Sequence, residues 1–396
     1  MLITYKFSLL PSKCQHKALR ETLESQRQLY NAALEERIDC FSKTGKGVTF
    51  VDQCKSLTQC RRDIYEMGLL PLKLQRWTLK RLDDAFASFF RRAKARKGKV
   101  GFPRFRGQEG WNSFGFNEFK GIRFDGCYLR FDGVPSGIRV NLHRPLPGNV
   151  DIRSCVLRYD GKGWKVCLQV FTETPEKCIV SRELGVDLGL SVFAYCSDGL
   201  QIPNPRIARH AEKEMRRRQR ALARCKKGSK RRLKVKAKLV KTHSKIVNVR
   251  TSWLHEKSTE LVNRTDFVAV EDLNIKGMIK NHKLARSIHD ASWSTFINMI
   301  AYKAEKAGKH FIKVDPRNTS QMCSGCYTFV PKSLAVRTHS CPNCGLVIDR
   351  DWNASKNILQ AGLLRAGLVR KMDNVTGSGE RSSRNTNLES SLYIPL

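Results

Sequence analysis

The sequence predicts a multidomain α+β protein, on three observations. Apolar residues recur at helical spacing from about 15 to 98. Short alternating runs broken by Asp-Gly turns fill about 111 to 174, and buried-strand runs alternate with long helical stretches after 184. At 396 residues and 41% hydrophobic content, the chain is long enough for two or three domains with their own cores.

Residues 3 to 9 alternate as a strand, and Pro11 and Ser12 then open a helix. Leu19, Leu23, Leu29, Tyr30, Ala33 and Leu34 give it one apolar face, and it stops near Gly45. Helices follow at about 51 to 66 and 73 to 98. The last has an apolar stripe of Leu79, Leu82, Phe86, Phe89 and Phe90, with Arg91, Arg92, Lys94, Arg96, Lys97 and Lys99 crowding its end. Cations there complement the helix dipole, but their number exceeds what capping needs. Because Arg104, Phe105 and Arg106 continue the pattern, this is expected to be a surface for a phosphate backbone and a stacked base. Turns at Asp125-Gly126, Asp132-Gly133 and Asp160-Gly161, with a hairpin of 156 to 159 and 163 to 171, read as a small barrel. The first strand joins it if the helices from 11 to 100 are an insertion.

Lys and Arg number 73 against 36 acidic residues, a net charge of +37 that a polyanion must normally neutralise. No apolar run has membrane-spanning length, and the N-terminus opens as a strand without a signal-peptide layout, so a soluble, intracellular protein without a membrane partner is expected. Cys14, Cys40, Cys127, Cys155, Cys167 and Cys196 are scattered singly, as reduced thiols are. From Arg206 to Arg250, nineteen Lys or Arg face only Glu212 and Glu214. Charge runs are by default solvated helical faces. So asymmetric a helix pair repels itself without nucleic acid alongside, which favours Arg216, Arg217, Arg220, Arg231 and Arg232 as contacts. Leu222, Leu233, Leu239, Ile246 and Val249 are expected to form its inner face.

Two Cys-x-x-Cys pairs, Cys323/Cys326 and Cys341/Cys344, supply four thiolates for one tetrahedral zinc ion. A redox or disulfide role would need only one pair. Four protein ligands leave no open position, so such a zinc holds shape and chemistry must come from elsewhere. Asp187 sits mid-strand between apolar neighbours in a run from 184 to 195, with Gly185 and Gly189 expected to let a ligand approach. Glu271 ends the apolar strand 267 to 270, and Asp351 opens a helix-compatible run. Alone, these read as a costly buried acid, an edge residue and an N-cap. In this order they are how an RNase H-like fold gathers three carboxylates around two divalent cations. Asp187 would bridge both and Glu271 and Asp351 would each hold one, for the two-metal hydrolysis that Mg²⁺ serves. Adjacent strand residues face opposite sides, so only one of Glu271 and Asp272 points in.

These residues resemble the TnpB proteins of bacterial and archaeal insertion sequences, relatives of the type V CRISPR effector nucleases. The matching stretches are 185 to 189, 270 to 273, both Cys pairs, and 349 to 358. Also alike are 284 to 288 with Trp293, 314 to 321, 5 to 11 and 102 to 105. The resemblance covers most of residues 1 to 370. Ser355 stands where the family commonly has Ala, and Tyr327 where Gly is usual.

The resemblance implies an RNA-guided DNA endonuclease of a transposable element, with a guide RNA derived from the transposon end and double-stranded target DNA beside a short adjacent motif. It implies a β-barrel wedge domain (1–10 and 101–175), a helical recognition domain (11–100), a RuvC-like nuclease domain (178–322 and 347–370) and a zinc ribbon that binds target nucleic acid (323–346). The tail, 371–396, is Ser-, Asn- and Gly-rich and is expected to be disordered. A monomer, cytoplasmic and nucleoid-associated in a bacterium or archaeon, is expected, with two catalytic Mg²⁺ and one structural Zn²⁺. A DNA-joining transposase could use the same triad, and an RNA-independent RuvC-type resolvase is the other alternative. A purely binding regulator would lack Mg²⁺-dependent cutting.

Overall fold

The computed structural model describes residues 1–95, 100–146, 151–333 and 335–368. The segment 371–396, expected to be disordered, lies outside the described residues, as do Arg96, Lys97 and Lys99. The chain divides into two units between Glu173 and Thr174.

In the first unit, β1 (Leu2–Leu10) buries Tyr5, Phe7 and Leu9 at alternate positions. A capping box starts α1 (Lys13–Thr44): Ser12 accepts from the Gln15 amide while Gln15 accepts from the Ser12 amide. Gly45, at φ 68°, ends it. A second box, Thr49 with Asp52, starts α2 (Phe50–Asp63). Extended backbone at Ile64 stops that helix, so the helix expected over 51 to 66 breaks into α2 and a single turn, α3 (Tyr65–Gly68). The amphipathic α4 (Leu72–Lys94) follows.

The strands β2 (Ser113–Phe116), β3 (Ile122–Phe124), β4 (Tyr128–Phe131), β5 (Ile138–Asn141), β6 (Asp151–Tyr159) and β7 (Trp164–Phe171) join β1 in one seven-stranded antiparallel sheet. Its order is β2-β6-β7-β1-β5-β4-β3, with the N-terminal strand at the centre. Asp160 closes the β6–β7 hairpin by accepting from the amides of Lys162 and Gly163, both at 2.9 Å. The expected barrel is a half-barrel. The end strands β2 and β3 do not pair, and the sheet curls shut through side chains instead, Phe114 and Phe116 meeting Phe131 at ring distances of 6.2 and 5.6 Å.

The second unit is mixed α/β. It runs β8 (Glu183–Leu188), β9 (Val192–Cys196), β10 (Gln201–Pro203), α5 (Ile207–His210), α6 (Glu212–Ala223), α7 (Lys230–Arg264), β11 (Phe267–Glu271), α8 (Ile275–Met278), α9 (His282–Ala291), α10 (Trp293–Lys306), β12 (His310–Val314), β13 (Thr338–Ser340), β14 (Val347–Asp349) and α11 (Arg350–Arg365). Five strands form a sheet in the order β10-β9-β8-β11-β12, in which β8, β9 and β10 are antiparallel and β11 runs parallel to β8 and β12. The run expected as one strand from 184 to 195 is therefore a hairpin folded at Gly189–Ser191.

Every residue of β11 is buried, as expected of a central strand covered on both faces. Val268 and Val270 pack with α7 and α10, whereas Phe267 and Ala269 pack with Ile358 and Leu363 of α11. Two glycines let α11 sit close. A Cβ on Gly185 would lie 2.1 Å from the Ser355 carbonyl oxygen, and one on Gly362 2.5 Å from the Ala269 Cβ. Gly185 thus serves helix packing and Gly189 the hairpin turn; neither opens the strand to a ligand. In the basic helix pair, α6 buries nothing and α7 buries Thr242, Ile246, Leu254, Ser258, Leu261 and Val262. Leu233 and Val249, expected on its inner face, are exposed. Gly185→Ala should cost about 1–3 kcal/mol by overpacking, read as an earlier urea unfolding midpoint, because backbone atoms of α11 cannot step aside.

Candidate functional site

Asp187 and Glu271 lie on neighbouring parallel strands, where Val186 of β8 pairs with Val270 of β11. Side chains alternate along a strand, so Asp187 shares the face of Gly185, and Glu271 that of Phe267 and Ala269. Both faces are the one covered by α11. Asp272 turns the other way, stays exposed, and pairs with Lys313 at 3.2 Å. Glu271 is buried and accepts from the Thr319 hydroxyl at 2.6 Å. Burial holds both carboxyls above the ordinary carboxylate range. For Asp187 the charges of Glu271 and then Asp351 add to that rise.

Asp349 and Asp351 divide two tasks. Asp349 caps α11 by accepting from the amides of Asp351 and Trp352 at 2.8 and 3.1 Å. Asp351 is freed from capping and meets two guanidinium groups: Arg350 donates at 2.9 and 3.0 Å, and Arg337 donates at 3.3 Å. Arg337 also reaches Ser191 in the β8–β9 turn, and its carbonyl accepts from the Arg350 amide at 2.7 Å. Asn353 and Asn357 tie the same helix to the first Cys pair: Asn353 bonds the Met322 carbonyl and the Ser324 amide, and Asn357 the Thr319 and Met322 carbonyls. Thr319, Arg337, Asn353 and Asn357 escaped sequence reasoning. The spacing of Asn353 and Asn357, one turn apart in a helix otherwise apolar on that side, was the available signal.

Among the described residues, Cys323, Cys326, Cys341 and Cys344 alone form a group whose ligand atoms all lie within 4.8 Å of one another. Two of the sulfur pairs are 3.5 and 3.6 Å apart. A tetrahedron with zinc–sulfur bonds of about 2.3 Å has edges of about 3.8 Å, so this set fits zinc. The two knuckles close alike, the amides of Tyr327 and Gly345 donating to the carbonyls of Cys323 and Cys341. Both positions have positive φ, 59° and 71°; Tyr327 therefore bears a strain that glycine escapes. The carboxylates offer the hard oxygen donors that Mg²⁺ takes, but Asp351 is turned onto its arginines.

Of the residues expected to meet nucleic acid, Arg91, Arg92, Arg104, Phe105 and Arg106 are exposed. The 101–106 segment is pinned by Phe102 against Phe86 and Phe89, and by Arg106, whose amide donates to Asn31. Arg216, Arg217 and Arg220 line a cleft on α6 with Lys213 and Arg224, although Arg216 pairs with Glu212. Arg231 is exposed. Arg232 bonds the carbonyls of Leu222 and Cys225 and so caps the end of α6.

Residues 165–282 match the family model described as "Probable transposase" of the OrfB_IS605 type, and 293–358 match "Cas12f1-like, TNB domain". Residues 1–46 match a "Helix-turn-helix domain", although here they form β1 and one long helix. A Streptomyces pristinaespiralis protein named "Putative RNA-guided DNA endonuclease" is 30% identical over 91% of this chain and 89% of its own length. InsQ of Escherichia coli K12, which carries the same description, is 28% identical over 91% and 92%. A solved Cas12f1–sgRNA–target DNA complex shares the fold at a TM-score of 0.55 and 15% identity, covering 87% of this chain and 82% of that one. The chain belongs to the TnpB family, the OrfB proteins of IS605-type elements.

Because the folded Asp187 carboxyl titrates above its unfolded value, it favours folding below about pH 4 and loses that contribution as pH rises through its folded pKa. Asp187→Asn should therefore raise the melting temperature of the metal-free protein at pH 7.5 by about 2–4 °C, the response to roughly 1 kcal/mol. The gain should shrink toward pH 4, as followed by calorimetry.

Proposed function

We propose that this chain, an RNA-guided DNA endonuclease of an IS605-type element, hydrolyses target DNA at Asp187, Glu271 and Asp351 on an RNase H-like, RuvC-type sheet. The observation that carries the reading is the half-buried Asp187 and the buried Glu271 on neighbouring parallel strands, facing α11, whose first turn carries Asp351. Burying like charges this close is unfavourable unless a cation normally shares the site. The sheet order, with β8 central and its hairpin partner antiparallel, supports the fold assignment.

Asp187, Glu271 and Asp351 would together hold the Mg²⁺ ions. When bound, such ions supply water activation and neutralisation of the leaving oxygen. The chain's own groups keep the acids in place: Thr319 fixes Glu271, the Asp349 cap orients the start of α11, and Arg337 and Arg350 balance the charge of Asp351. The zinc ribbon at 323–346, inserted just before α11, holds the Asp351 side of the site and borders the DNA path. The wedge (1–10 and 101–175) and recognition (11–100) parts bind a guide RNA derived from the element's end and the target duplex, and the basic helix pair offers a further surface for nucleic acid. The net charge of +37 suits that load. Relatives named as endonucleases align over about nine-tenths of the chain, which favours cutting over strand joining.

Asp187→Ala should lower Mg²⁺-dependent cleavage by at least roughly 10³-fold while RNA-dependent DNA binding stays within about twofold, since it removes metal ligation and no basic surface. Single-turnover cleavage and filter binding on the same preparation check this. Normal cutting by the variant would show that the acids are misassigned.

A further inference from the structure

In the first unit two arginines converge on a pair of aromatic rings and, among the described residues, form no ion pair with an acid. The Arg81 guanidinium of α4 lies 4.3 Å over Trp111 and 5.4 Å from Trp77, and that of Arg106 lies 5.7 Å from Tyr30. The Tyr30 and Trp111 rings are themselves 5.1 Å apart. Both hydrogen bonds of Arg81 run from Nη1, to the Ser113 carbonyl and hydroxyl at 3.3 Å. Its other nitrogens have no protein acceptor among the described residues, and neither guanidinium has an ion-pair partner there. Glu24, the acid on the neighbouring stretch of α1, is taken by Arg27 at 2.5 Å. Two buried donors beside them, the Tyr30 hydroxyl and the Trp111 indole N–H, have no acceptor either.

This is an expensive arrangement for a merely structural stack. Burial, and then repulsion from Arg106, push the Arg81 pKa down, so the folded protein bears an uncompensated positive site. Cation–π contact recovers about 0.5–2 kcal/mol per pair but leaves the N–H groups unused. An oxyanion seated between the guanidinium groups would accept from both and relieve their repulsion. Arg106 belongs to the basic segment already expected to meet nucleic acid; Arg81, Tyr30 and Trp111 do not.

We propose that Arg81 and Arg106, backed by Trp111 and Tyr30, form a binding site for one backbone phosphate of the nucleic acid that this unit holds. The site rests on the guided-nuclease reading, because the phosphate comes either from the guide RNA or from the target DNA.

The test uses the full chain, titrated with its guide RNA, and then the RNA-loaded complex, titrated with matching DNA, each across a salt series. Arg81→Gln and Arg106→Gln should each lower affinity in one of the two titrations by about 5- to 20-fold at 0.15 M salt. Each should also reduce the magnitude of the log K against log salt slope in that titration by about 0.7–0.9, the release of one phosphate contact. A change in the first titration assigns the phosphate to RNA, and a change in the second to DNA. Trp111→Phe, which keeps an aromatic ring but shrinks it and removes the N–H, should weaken the same titration without altering its slope. Unchanged slopes in both titrations for both arginine variants, with wild-type binding intact, would overturn the site alone. A wild type that binds neither nucleic acid would overturn the guided-nuclease reading and the site with it.

Discussion

The approach of α11 to β8 at Gly185 is the constraint on which the second unit depends. Backbone oxygen of the helix sits where any side chain at 185 would be. That contact fixes the height of the helix start above the strand carrying Asp187 two residues later. The rest of the helix follows from it. Gly362 repeats the close approach over Ala269, Ile358 fills the apolar layer between them, and Trp352 donates to the Ser197 carbonyl at 3.0 Å. One helix thus joins the sheet, the acids and, through Asn353 and Asn357, the cysteine knuckles. An ion held by the four cysteines would therefore act on the geometry of the acids without touching them.

Electrostatically the molecule is divided against itself. The chain as a whole carries a large excess of positive charge, while in the second unit the clustered acids repel one another. Both tensions are of the kind that bound ions relieve, a polyanion for the first and divalent cations for the second. Arginines close to Asp351 are a partial, internal answer to the acid cluster. The uncompensated Arg81 and Arg106 are its counterpart in the first unit, with no internal answer among the described residues.

Much of this was legible in the sequence because the informative residues are chemically unusual where they stand. Four cysteines in two spaced pairs, an Asp inside an apolar run and a Glu at the end of a wholly apolar strand each violate a local rule of burial. The Asp160-Gly161 hairpin was equally readable from turn chemistry. What stayed hidden depends on distance between parts remote in the chain. Gly185 looked like room for a ligand because nothing local shows that Ser355 arrives there. The break at Gly189–Ser191 was masked by apolar residues on both sides. Leu233 follows a helical apolar period but lies before Thr242, the first buried residue of α7, and Val249 is exposed although Ile246 three residues earlier is buried; periodicity does not reveal where a partner ends. Likewise Arg232 reads as one more cation in a charge run, although its guanidinium closes a helix end. The half-barrel differs from a barrel only in whether two short edge strands meet.

The most direct test is to purify the protein from cells carrying its own genetic locus, sequence the RNA that accompanies it, and offer the complex DNA matching that RNA, with Mg²⁺ or with a chelator. The account predicts one discrete RNA species and cuts confined to matching DNA, present with Mg²⁺ and absent with the chelator. Protein free of RNA that nonetheless cuts DNA, or cutting indifferent to the RNA sequence or to Mg²⁺, would contradict it.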